Sequence, residues 1–242
     1  MTESDVIRQL AQQAFNASDG SETRDNWLWD RTVRIVRNVG RICRLPELAE
    51  RAISIDQSCL IAAAYFSISG LAHPVETGYA GGCLNRTDSG EANLYERSAK
   101  IAAETLSGVF SETRLHKVCR IITESRNRFT DMTEAMILSD GCNLEEIGAS
   151  GLLYELRQDI INGKGVCEIL ESWRCKTQYG YWQARLKEGF RYDAVRQMAR
   201  QRFLAMEQFM EQLAAENQPD QEPETAPNQY TPQGNQLPRV TL

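Results

Sequence analysis

The chain has 242 residues, 42% of them hydrophobic and 25% charged, and carries a formal net charge of −6 at pH 7, enough material for one compact domain with a substantial core. The excess of acid argues against a general nucleic-acid or anionic-membrane binder, since phosphates are held through a surplus of Lys and Arg. No run of about 18 apolar residues is present to form a transmembrane helix, and the chain opens on acids rather than the basic-then-apolar order of a secretory leader, so the expected location is cytoplasmic.

Helical periodicity dominates, with no convincing alternating strand. Residues 1–24 are an N-terminal segment in which Val6, Leu10, Ala11 and Phe15 can share one helix face. From Trp27 to Arg44, Val33, Val36, Val39 and Cys43 make another, with Ile35 and Ile42 beside them. Leu45-Pro46 ends that helix, and Pro46 suits the first position of the next. Asp56 is a good N-cap for IDQSCLIAAAYFSISG, which is apolar almost all round and so reads as a central, buried element. Glycines 78, 81, 82 and 90 punctuate a long loop over 73–90. Helix returns over Ala92–Phe110 and Thr113–Ser125, and Asp131 and Glu134 have the spacing of a capping box. A helix over 151–161 breaks at Gly163 and Gly165, and a last amphipathic one runs from Tyr192 to Glu216. The whole predicts an all-α protein, a single helical bundle over 25–216.

Five of the seven prolines lie beyond Glu216 among Gln and Asn, a composition that buries too little apolar surface to offset the entropy of ordering. The expectation for 217–242 is a disordered tail, with a short partner-binding peptide as the alternative. Seven cysteines, at 43, 59, 83, 119, 142, 167 and 175, form no CxxC, and His73 and His116 are the only histidines. Local spacing therefore assembles no zinc site, and free thiols in a reducing compartment are expected.

Five segments, in order, match the motifs of one known enzyme family. Arg31-Thr-Val-Arg34-Ile35 matches the family's His-x-x-Arg-Val with its histidine replaced. Ala63-Ala64-Tyr65-Phe66-Ser67-Ile68-Ser69-Gly70 keeps the frame of Ala-Ala-Leu-Leu-His-Asp-Ile-Gly, with Ser67 and Ile68 where the His-Asp pair belongs. Tyr95-Glu96-Arg97-Ser98-Ala99-Lys100-Ile101-Ala102 matches Ser-Ala-x-Ile-Ala without the preceding histidine. LSDGCNLEEIGASGLL, Leu138 to Leu153, is similar to Leu-x-Asp-Ala-Asp-x-Leu-Asp-x-Ile-Gly-Ala. LKEGFRYDAVRQMARQRFLAMEQFMEQLAAE is similar to the C-terminal helix of the small bacterial HD nucleotide (di)phosphohydrolases, and taken in order the segments resemble the HD superfamily of metal-dependent phosphohydrolases.

The resemblance implies an HD-type bundle whose metal ligands are gone. In the family a divalent metal binds phosphate and lowers the pKa of a bound water. Here Arg31 brings a permanent cation, Ser67 one weak neutral ligand atom and Ile68 none. Asp140 is the surviving acid, the second of its block having become Cys142. One carboxylate holds Mg²⁺, Mn²⁺ or Fe²⁺ poorly. The expectation is a pseudoenzyme with no catalytic residue, metal or cofactor, acting as a ligand-binding, regulatory or scaffold protein; the alternative is an active phosphohydrolase with rearranged ligands. Arg31, Ser67, Ile68, Ser125 and Asp140 would line the altered pocket, and a small anionic ligand or a protein would be the partner.

Two structural expectations follow: Ile68 is buried among apolar neighbours, and Arg31 bridges to Asp140 across the vacated metal position. His116 is expected at the surface and His73 as a loop anchor, reaching back to the pocket being the alternative. Ser67 lacks a neighbouring base, and Asp140 would raise the pKa of Cys142. Trp173, Tyr179, Tyr181 and Trp182, near Arg174 and Lys176, are expected to close the core, or alternatively to stack a base. Arg120, Arg126 and Arg128 around Ser125 are a solvated face or an anion site.

Overall fold

The computed structural model describes residues 2–16, 27–49, 54–72 and 88–217. His73, Cys83, most of the expected loop over 73–90 and the expected tail beyond Asn217 lie outside the described residues.

Every regular element among the described residues is helical, as the periodicity predicts. The order is α1 (Glu3–Asn16), α2 (Trp27–Ile42), α3 (Pro46–Ala49), α4 (Gln57–Phe66), a 3-10 turn (Ser69–Leu71), α5 (Asp88–Leu106), α6 (Glu112–Glu124), α7 (Thr133–Glu145), α8 (Ala149–Ile161), α9 (Val166–Gln178), α10 (Tyr181–Glu188) and α11 (Asp193–Glu216). α4 is the hub, packing against α1, α2, α5, α6 and α7. Its sequence explains that place: Cys59, Leu60, Ala62, Ala63, Ala64, Tyr65 and Phe66 are all buried, and an apolar surface on every side must be covered on every side. Asp56 caps it as expected, its Oδ1 accepting the Cys59 amide at 3.0 Å.

α1 adds Ile7, Ala11 and Phe15 to the same core, with Leu10 half-buried beside them, so the helix at the start of the chain is packed into the bundle. α2 lies along α7, and α5 along α6. α11 crosses α7, α8, α9 and α10, burying Val195, Ala199, Met206 and Met210. Near its middle an aromatic cluster forms, Trp182 lying 5.1 Å from Trp173 and 5.6 Å from Phe203 by ring centroids.

The capping box expected of Asp131 and Glu134 does not form. Met132 occupies the N-cap of α7 without a side-chain bond. Glu134 turns instead to Lys117 Nζ at 2.9 Å and accepts the Asp56 amide at 3.2 Å, because a carboxylate buried against α4 and α6 gains more from a cation than from its own helix end. The turn into α8 runs through Gly148 at φ 115° and ψ −177°, a conformation that side-chain-bearing residues rarely adopt. No helix among the described residues is long and apolar enough to cross a membrane.

Candidate functional site

α2, α5, α7, α8, α9 and α10 surround a cavity of about 380 Å³. Charged side chains meet there from separate helices: Arg31 from α2, Arg97 from α5, Glu145 and Glu146 from the end of α7, Glu155 and Asp159 from α8, Lys176 from α9 and Arg185 from α10.

At the heart of the cavity lies a three-residue bridge. Glu146 Oε2 accepts from Arg185 Nη2 at 2.6 Å, and its Oε1 accepts from Arg31 Nη2 at 3.2 Å. The Arg31 side chain is only 10% exposed, and its guanidinium sits 4.6 Å above the Tyr154 ring. Trp27 stacks on Tyr154 at 4.9 Å, and Arg157 lies 5.1 Å from the centre of the Trp27 ring. Arg31 is thus fixed by a carboxylate on one side and a stacked ring on the other.

The neighbouring charges are tied in pairs. Glu145 is buried and accepts from Arg34 Nε at 2.6 Å; burial raises its pKa against the pull of that guanidinium. Glu155 pairs with Lys176, and Asp159 with Lys164 at 2.7 Å. Arg97 differs: among the described residues it has no hydrogen-bond or ion-pair partner, and its Nε is buried without one.

The residues singled out from sequence divide between this cavity and elsewhere. Arg31 and Ile68 line it, and Ile68 is 7% exposed within the apolar core. Ser67 is buried behind the lining; its Oγ donates to Ala64 O at 3.0 Å, and the Cys142 thiol sits 3.9 Å from that oxygen. Ser125 lies outside, donating to Ile122 O at 2.7 Å at the end of α6.

Asp140 also lies outside, and its expected bridge to Arg31 is absent. Asp140 accepts the Arg191 amide at 2.9 Å through Oδ1 and the Tyr192 amide at 3.2 Å through Oδ2, pinning the turn before α11. Burial pushes its carboxyl up to about 6, against the pull of those amides. The reason is helical register: Asp140 and Cys142 are two residues apart, and that step points them to different sides of α7. Cys142 faces the cavity. Its thiol is pushed up to about 12 by burial, rather than by Asp140 as the sequence suggested; Glu146 and Glu145 add to the rise.

A divalent metal does not fit the groups gathered here. Arg31 is a cation, Ile68 has no donor atom, Cys142 is a protonated thiol and Asp140 faces away. The carboxylates that do line the cavity are engaged by arginine or lysine, and no three His, Cys, Asp or Glu among the described residues could hold an ion together.

The remaining candidates fall at the surface or in the core. His116 is exposed. Arg120 and Arg126 are exposed, and Arg128 pairs with Glu188 at 3.1 Å. Tyr179 is exposed and Arg174 pairs locally with Glu171, whereas Trp182, Tyr181 and Lys176 reach the cavity. The cysteines at 43, 59, 119, 142, 167 and 175 are free. Sequence reasoning missed Glu146, Arg185 and Arg97. Arg97 and Glu146 stand inside quoted segments, but at positions where the family resemblance assigns no ligand.

No family model matches the sequence. No curated protein matches it either. Among solved structures the chain is similar to Bacillus subtilis YpgQ in its complex with ADP, with a TM-score of 0.57 at 17% identity, over 88% of this chain and 94% of that one. At that identity the likeness carries the fold alone: an all-helical bundle of the same arrangement.

Proposed function

We propose that this chain is an HD-superfamily pseudoenzyme, a protein that keeps the family's pocket for binding and has given up metal-dependent hydrolysis. The order of five matching segments supports the superfamily, as does the fold shared with YpgQ. One observation carries the loss of chemistry: Arg31, at the family's first histidine position, is drawn into an Arg31–Glu146–Arg185 bridge. A guanidinium there repels a divalent cation and occupies the donor that remains nearby. Hydroxide generation at neutral pH needs the metal to lower a water's pKa, and no neutral histidine among the described cavity residues could serve as general base instead. The pocket then works by occupancy, as a ligand-responsive regulatory or scaffold unit.

The experiment is elemental analysis of purified protein alongside phosphate release from ADP, with and without added Mn²⁺. The expected result is less than stoichiometric metal and no release above buffer. Stoichiometric metal with turnover would return the chain to the active phosphohydrolases with rearranged ligands.

A further inference from the structure

We infer that the cavity holds the phosphate group of a phosphorylated small molecule directly on arginine side chains, without metal and without recognition of a base. The inference rests on the binding role proposed above and names the chemistry of the ligand. Its starting point is a charge imbalance. Glu146 faces two guanidinium groups, those of Arg31 and Arg185, so this triad keeps one positive charge. Arg97 adds a second, with no carboxylate opposite it among the described residues. A cation inside a low-dielectric cavity is costly without a counter-charge. Two such charges in one cavity match a phosphate monoester, which carries about −1.5 to −2 at neutral pH.

The hydrogen-bond inventory points the same way. A guanidinium has five N–H donors. Arg31 commits Nη2 to Glu146, and Arg185 commits Nη2 to Glu146 and Nη1 to the Tyr181 hydroxyl at 3.4 Å. Arg97 commits none among the described residues, and its buried Nε is an unmet donor. Phosphate oxygens accept in the planar, paired geometry that guanidinium presents. An arginine that lines the same cavity from α5, with donors to spare, is therefore available to receive one.

Four rings line the cavity, Tyr95, Tyr154, Tyr181 and Trp182, and none of them is without a partner. Tyr154 is covered by Arg31 on one side and Trp27 on the other. Trp182 is packed among Trp173, Phe203 and Tyr181. Tyr181 has Lys176 at 5.8 Å and Arg185 at 6.0 Å from its ring centre. These aromatics already make the contacts a nucleobase would need, so affinity should follow the phosphate and not the ring attached to it.

Calorimetric titrations in EDTA test this with inorganic phosphate, AMP, ADP and adenosine on the full chain. The expected result is binding of the phosphate-bearing probes and none of adenosine. AMP binding more tightly than inorganic phosphate identifies an ester as the occupant; the reverse order would overturn the small-molecule ester in favour of the free anion. Arg97→Gln should weaken AMP by at least about tenfold, the loss of a charged hydrogen bond, and Arg97→Lys should recover part of it. Because Arg97 has no partner to lose among the described residues, Arg97→Gln should keep or raise the wild-type unfolding midpoint, which separates lost binding from lost fold. Equal binding of adenosine and AMP, a requirement for divalent metal, or an unchanged AMP affinity in Arg97→Gln would each overturn the inference. Phosphate release from ADP would sink the pseudoenzyme reading alone, since the EDTA titrations are judged without turnover.

Discussion

Gly151 offers a test in which helix propensity and packing predict opposite signs. It sits in the first turn of α8 and lines the cavity. Replacing a helical glycine by alanine ordinarily stabilises by up to about 1 kcal/mol. Here a Cβ would lie 2.2 Å from the Glu146 carbonyl oxygen, 2.4 Å from its carbon and 3.0 Å from the Glu145 oxygen. Non-bonded contacts settle at roughly 3.5 Å or more, so the end of α7 and the start of α8 would have to part by about 1 Å. Both sides of the clash are backbone, and no rotamer change relieves it. Overpacking of this kind costs about 1–3 kcal/mol and occasionally more. Set against the propensity gain, Gly151→Ala should lose about 2 kcal/mol, which lowers a urea midpoint by about 1 M at a typical denaturant slope. The same displacement moves Glu146, so AMP binding should weaken as well. A Gly151→Ala protein as stable as the wild type, or more so, would refute the packing of α7 on α8 and the placement of Glu146 that depends on it.

Asp140 gives a pH signature. Its carboxyl titrates near 6 in the folded protein against an ordinary value of 3.8, so between those values the folded state holds a proton the unfolded state has released. Its contribution is full below about pH 4 and is lost as pH rises towards 6, a fall of about 3 kcal/mol that Asp140→Asn should abolish; urea midpoints that run parallel for both proteins across the window would contradict it. Arg31→Met and Glu146→Gln should show a coupling of about 1–2 kcal/mol in a double-mutant cycle of unfolding, reduced by the partial exposure of Glu146, and additive effects would remove the bridge. In native protein at pH 8, Cys167, exposed, should react first with a thiol reagent. Cys142 and Cys59, pushed up to about 12 and about 11 by burial, should lag; mass mapping reads the order, and early labelling of Cys142 would contradict it.

The helices were legible because their signals are local. Asp56 announces α4 by its side chain alone, and a residue run apolar on all sides has only one kind of place to go. The Asp131–Glu134 spacing failed for the complementary reason: Glu134 is also within reach of Lys117 and the Asp56 amide, partners 17 and 78 residues away in sequence, and such competition leaves no trace in local spacing. The family resemblance named Arg31, Ile68 and Asp140 together; the first two line the cavity, whereas Asp140 is turned to the amides of Arg191 and Tyr192. An acid at a motif position invites a functional reading, yet in the structure Asp140 has a structural task, holding two amides before α11.

What the motif comparison could not reach was the charge network inside the cavity. A metal gathers ligands from several helices through one central charge. When that charge goes, groups brought together by the fold must balance one another or open the cavity. In this protein the balancing charges come from residues that a ligand-by-ligand comparison passes over: Glu146 next to a matched position and Arg185 just outside a matched segment. The balance is also incomplete, since two guanidinium groups share one carboxylate and Arg97 has none among the described residues. A half-buried guanidinium whose Nε is buried without a partner stabilises less than apolar packing of the same volume, so methionine or leucine where Arg97 stands would favour the fold. An arginine without a partner among the described residues is therefore better explained by an anion that arrives from solution, as inferred above, than by the stability of the fold.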